Sequence, residues 1–145
     1  QLPNPIVEVS GSEDFQTSLG IVLTAPQDAK DVVYSIIAKT TAQIQFTLDG
    51  RAYTYRAAKT TNGISGVYDT LDAAKSYDLP LGDTTVAISV STISGGDGGA
   101  LAKWSYGETS YSLYTPDKAD ADTVGALSQS LAGNDLPVPA LYSEG

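Results

Sequence analysis

The sequence predicts an α+β fold: an N-terminal β-hairpin, a five-stranded antiparallel sheet, then C-terminal helices. Three observations predict it. Ser, Thr, Val, Ile and Tyr dominate the first four-fifths of the 145 residues, broken by turn-forming residues, which is the composition of antiparallel β structure. An Asp49-Gly50 pair divides two alternating runs, a two-residue hairpin signal. After Pro116 the apolar spacing changes from a period of two to a helical one.

The first element is a hairpin within residues 1–26. Residues 6–10 alternate and stop at Gly11-Ser12; residues 18–24 follow and stop at Ala25-Pro26. The sheet occupies residues 31–116. Residues 31–39 contain VVYSII and form its first strand. Then comes QIQFTL-DG-RAYTYR. A type I′ turn needs positive φ at both central positions, which Asp-Gly tolerates. That sets Leu48 opposite Arg51, Phe46 opposite Tyr53 and Ile44 opposite Tyr55. Alternation then sorts the side chains. Ile44, Phe46, Leu48, Tyr53 and Tyr55 share an apolar face; Gln43, Gln45, Thr47, Thr54 and Arg56 share a polar one.

Residues 60–83 read as one long connection with a helical turn at 69–75. Residues 84–93 alternate again, with Val86, Ile88 and Val90 on one face. The glycine-rich SGGDGG of residues 94–99 is a flexible hairpin loop. Residues 102–115 form the last and longest strand, closed by Pro116. Ala121, Val124, Leu127 and Leu131 then line one helical face. Gly133-Asn134 stops that helix. Pro137 and Pro139 keep the chain extended before a last short turn carrying Leu141 and Tyr142.

Geometry argues for self-association. Five strands at about 4.8 Å spacing make a sheet roughly 24 Å wide, and one helix covers only about 10–12 Å. A symmetric dimer, each helix lying on the partner's sheet, supplies the second cover. The expected dimer interface is Val124, Leu127 and Leu131 with Leu136, Val138 and Leu141 of the tail, within a single domain of residues 1–145 whose residues 117–145 form a helical dimerisation segment.

Composition excludes much chemistry. The chain has neither Cys nor His, so disulfides, thiol nucleophiles, histidine bases and His-held metals are unavailable. No catalytic carboxylate pair is evident, so no enzyme activity, cofactor, metal or small-molecule substrate is expected. No apolar run reaches the length of a membrane span. The net charge is −9, unevenly spread. Residues 38–60 carry Lys39, Arg51, Arg56 and Lys59 against Asp49 alone, a local net of +3.

Other patterns have plain explanations. GGDGG lies between two strands with no following Lys-Ser/Thr, unlike a phosphate loop. Asp117, Asp120 and Asp122 are spaced like part of a calcium loop, but the glycine and terminal Glu of such a loop are absent and a helix start explains the acids. Trp104, Tyr106, Tyr111 and Tyr114 fill the core for the most part, with one or two left for stacking bases.

The C-terminal third carries a resemblance. A Trp104-Ser105-Tyr106 strand ends in Thr115-Pro116 and is followed by an acidic helix start, Gln129-Ser130-Leu131, Gly133-Asn134 and Pro137-Val138-Pro139-Ala140. This resembles the coat proteins of single-stranded RNA bacteriophages, the leviviruses, over residues 104–142, and the order of expected elements is similar throughout. The resemblance implies an intertwined dimer, icosahedral assembly of dimers into a virion shell in the bacterial cytoplasm, and single-stranded RNA against the inner sheet face. It also implies binding of an RNA hairpin as a translational repressor. The RNA-facing residues would be Lys39, Gln43, Gln45, Thr47, Thr54, Arg56, Lys59 and Lys103. The loop Gly95, Gly96, Asp97, Gly98 and Gly99 would meet its copies at symmetry axes. The family's base-stacking Tyr and nearby Asn fall on Glu108 and Ser110, so those roles do not transfer. The rival reading is a secreted or surface β-rich adhesin or appendage subunit, which would be free of nucleic acid.

Overall fold

The computed structural model describes residues 6–59, 72–81, 84–94 and 97–135. In chain order the elements are β1 (Ile6–Val9), α1 (Ser12–Leu19), β2 (Lys30–Ile37), β3 (Thr41–Leu48) and β4 (Arg51–Ala58). They continue with β5 (Lys75–Ser76), β6 (Leu79–Leu81), β7 (Thr84–Val86), β8 (Ser89–Thr92), β9 (Ala100–Tyr106), β10 (Thr109–Thr115) and α2 (Ala121–Asp135).

The expected five-stranded sheet is corrected to eight strands in the order β1-β2-β3-β4-β10-β9-β8-β5, with β6 and β7 as a separate pair. Every neighbouring pair is antiparallel. One meander, β1 to β4, meets a second one, β8 to β10, where β4 pairs β10. The last strand therefore sits in the middle of the sheet.

Four local readings differ from the structure. The N-terminal hairpin does not form. β1 pairs β2 instead, and the chain between them winds into α1. The Asp14 carboxylate accepts from the Ser10 and Gly11 amides at 2.9 and 3.4 Å, and Gly20 ends the helix at φ 68°. The expected long strand at 102–115 is two strands. Gly107 takes φ 61° as the first of two loop residues, a position hairpin turns give to glycine. The run at 84–93 divides into β7 and β8. In the long connection, residues 72–74 are irregular and β5 begins at Lys75, so the helical turn is not seen there; residues 60–71 lie outside the described set. So do residues 136–145, which hold the expected tail helix.

The β3–β4 hairpin matches the sequence reading residue for residue. Leu48 pairs Arg51, Phe46 pairs Tyr53 and Ile44 pairs Tyr55. Asp49 and Gly50 take φ 53° and 78°, and the Phe46 and Tyr53 rings stack at 5.4 Å.

The core lies on one face of the sheet. Ile44, Phe46, Tyr55, Val90, Ala102, Trp104, Tyr111 and Leu113 point into it. α2 crosses β8 and β9 of its own chain, burying Val124, Leu131 and Ala132. The second cover also comes from the same chain: α1 with Phe15, then Ile21 and Leu23, all buried. That removes the geometric reason for borrowing a partner's helix. Among the described residues no helix is long and apolar enough to cross a membrane.

Candidate functional site

The face opposite the helices is where the expected RNA contacts were placed. Strand register builds it. Glu8 pairs Ser35, Ser35 pairs Gln43, Gln43 pairs Arg56, and Arg56 pairs Ser112. Ser112 pairs Lys103, Lys103 pairs Ser89, and Ser89 pairs Ser76. These eight residues form one unbroken polar row across all eight strands, roughly 34 Å at ordinary strand spacing. Neighbouring positions on the same side are Gln45, Thr54, Tyr114 and Leu101.

The row is only partly open to solvent. Gln43 and Ser112 are 4% and 1% exposed, whereas Lys103 and Ser89 are exposed. The Arg56 Nε donates to Gln43 Oε1 at 2.8 Å, and burial holds the half-buried guanidinium below its usual pKa. Gln43 thus orients Arg56 and is itself shielded from a ligand. Gln45 is exposed, and Thr47 and Thr54 are half-buried.

The basic window of residues 38–60 is not one surface. Lys39 lies in the turn between β2 and β3 at φ 63°. Arg51 and Lys59 share the alternation of Tyr53 and Tyr55 and so belong to the helix side. Arg51 Nε donates to the Lys118 carbonyl at 2.8 Å. The Lys59 ammonium rests against Gly20, 2.9 Å from where a β-carbon would stand. Of the four cations in that window only Arg56 joins the row, and Lys103 joins it from β9. The face of β3, β4, β10, β9 and β8 carries these two cations and no carboxylate.

The aromatic residues divide as alternation requires. Trp104 and Tyr111 stack at 5.7 Å and 6° inside the core. Tyr106 is half-buried on the helix side. Tyr114, half-buried, is the one on the polar face.

Other expected residues find structural roles. Val124 and Leu131 are buried in their own chain's core and Leu127 packs against it; Leu136, Val138 and Leu141 lie outside the described residues. Gly95 and Gly96 lie outside them too. Asp97 is exposed and 3.8 Å from the Lys118 ammonium. Gly99 is buried at φ 94°, where a β-carbon would meet the Thr115 carbonyl oxygen at 1.9 Å. The acids at 117–122 diverge. Asp117 accepts from the Ala52 amide at 2.7 Å, Asp120 caps α2 through the Thr123 amide at 2.8 Å, and Asp122 accepts from Tyr77 at 2.6 Å. Among the described residues no group of three or more acids stands close enough to hold a metal.

One cluster escaped the sequence reading. Asp135, at the end of α2, is 3% exposed. Its carboxylate accepts from Tyr55 at 2.7 Å and from the Thr24 hydroxyl at 2.6 Å. The only trace in the sequence is an acid in a helix-stop motif, where exposure is the ordinary expectation.

No family model matches the chain, and no curated protein or solved structure matches it either.

Proposed function

We propose that this chain is a structural subunit of an RNA-containing phage particle, as the resemblance in residues 104–142 implies, and that it meets RNA on the sheet face opposite its helices. The charge of that face carries the reading. In a chain of net charge −9, the five strands from β3 to β8 in sheet order place Arg56 and Lys103 there and no carboxylate. A polyanion meets least repulsion on such a surface. Tyr114 offers one ring for stacking a base. Two cations support weak, sequence-blind binding with a shallow salt dependence. The architecture adds nothing to this reading, because the eight-stranded sheet is not the five-stranded one the resemblance implied.

The test is to express the full chain and follow nucleic-acid absorbance through size exclusion, with negative-stain images of each peak. Large uniform particles that carry RNA, and lose part of it in Lys103→Glu, support the reading. A small RNA-free species overturns it. That outcome favours an appendage subunit, for which one observation speaks: among the described strands β1 is at the sheet edge, with Ile6 and Val7 46% and 56% exposed, and edge strands are where a second copy adds a strand.

A further inference from the structure

The Asp135 carboxylate is buried, and among the described residues it has no counter-charge paired with it. Three donors converge on it: the Thr24 amide at 3.2 Å and the Tyr55 hydroxyl at 2.7 Å on Oδ2, and the Thr24 hydroxyl at 2.6 Å on Oδ1. Three donors around two oxygens suit the ionised, acceptor-only form. Hydrogen bonds from neutral groups satisfy lone pairs without cancelling the charge. Asp135 also ends α2, where the helix dipole is negative. Among the described residues no Lys or Arg forms an ion pair with it; Lys59, against Gly20, does not.

Beside this carboxylate lies a cavity of about 230 Å3. Its walls include Tyr106, Tyr111, Thr109, Ile21 and Val22. Val22, one of the lining residues, is 41% exposed. The volume is below the roughly 300–1,000 Å3 of pockets that take drug-sized ligands.

We propose that this cavity binds a small organic ammonium ion, its charge against Asp135 and its hydrocarbon against Tyr106 and Tyr111. Each part of the wall selects for that class. The uncompensated carboxylate rejects anions and leaves a neutral ligand without its strongest interaction. Tyrosine rings attract cations and cover hydrocarbon. A bare divalent ion would find a single carboxylate where it needs several oxygens. The site is independent of the polar face, and its test does not depend on particles forming.

Trp104 is the chain's only tryptophan, and it stacks on Tyr111, which lines the cavity. Its fluorescence therefore reports occupancy. The full chain is titrated with benzylammonium, benzyl alcohol and benzoate. The expected result is a saturable change with benzylammonium, binding roughly tenfold or more weaker for the alcohol, and none for benzoate. Asp135→Asn should abolish the ammonium preference. Should that variant fail to fold by circular dichroism, Val22→Phe narrows the cavity, leaves the carboxylate cluster untouched, and should abolish binding. Equal binding of alcohol and ammonium by the wild type, no saturable response to any probe, an ammonium preference that survives in folded Asp135→Asn, or a response that survives in folded Val22→Phe overturns the proposal.

Discussion

The Tyr55 hydroxyl donates to the Asp135 carboxylate at 2.7 Å across 80 residues of chain. This contact ties the central strand β4 to the end of α2 and so fixes where the helix lies on the sheet. Replacing Tyr55 with Phe removes the donor and keeps the ring. Hydrogen bonds to charged groups contribute about 1.5–3 kcal/mol, so urea unfolding should show Tyr55→Phe destabilised by that amount. A loss below a few tenths of a kcal/mol would mean the contact does not hold the helix.

Asp135 also predicts a pH dependence. Burial raises its pKa above the ordinary carboxylate value, opposed by the hydrogen bonds from Thr24 and Tyr55. A carboxyl with a raised folded pKa binds protons more readily folded than unfolded. Its contribution therefore falls as pH rises from the unfolded pKa through the folded one. The stability difference between wild type and Asp135→Asn should shift toward wild type as pH drops from neutral into the acid range. Denaturation curves at stepped pH check this, and parallel profiles would contradict it.

At high pH the sign follows from a tyrosine. Tyr111 is pushed up to about 12 by burial and then by the Asp135 charge. The unfolded chain releases that proton near the ordinary tyrosine value of about 10, so stability falls between those two pKa values as pH rises. Tyrosinate absorbance of the folded chain should show a late-titrating class, and Tyr111→Phe should remove part of it.

Gly99 and Gly107 separate two kinds of glycine requirement. Both have positive φ, but a β-carbon at Gly99 would strike the Thr115 carbonyl oxygen at 1.9 Å, whereas none of the neighbouring atoms is within 4 Å at Gly107. Gly107→Ala should cost about 1 kcal/mol from backbone conformation alone. Gly99→Ala adds a clash with backbone, worth about 1–3 kcal/mol more. Thermal melts of the two variants should differ clearly, with Gly99→Ala the less stable.

Arg56 and Lys103 separate stability from binding. Arg56→Ala strands the buried Gln43 amide oxygen and should cost about 1–3 kcal/mol. Lys103 is exposed, and Lys103→Ala should leave the unfolding midpoint unchanged. On the proposed function it should lower RNA retention and reduce the salt slope by about one. Unchanged retention would remove Lys103 from the RNA face.

The legible parts of the chain were those whose causes are local. Asp49-Gly50 imposes its turn on the residues beside it, so the β3–β4 register followed from six flanking side chains on each side. The spacing of Val124, Leu127 and Leu131 located α2 for the same reason. Alternation continues on both sides of Gly107, so the sequence pattern alone does not separate β9 from β10 there. α1 went unseen because its single buried residue, Phe15, makes no apolar stripe. Its caps, Asp14 and Gly20, were the signal available.

By itself, then, the sequence determined the lack of thiol and imidazole chemistry, the central hairpin and the C-terminal helix, since composition and short-range backbone preferences suffice for these. Only the tertiary structure decided that β10 pairs β4, that Arg51 and Lys59 leave the face that Arg56 and Lys103 share, and that Asp135 is buried. The physical reason is common to all three. Alternation tells which residues of one strand share a side, but not which distant strand lies beside it or what covers it, and those choices are made by the whole core at once.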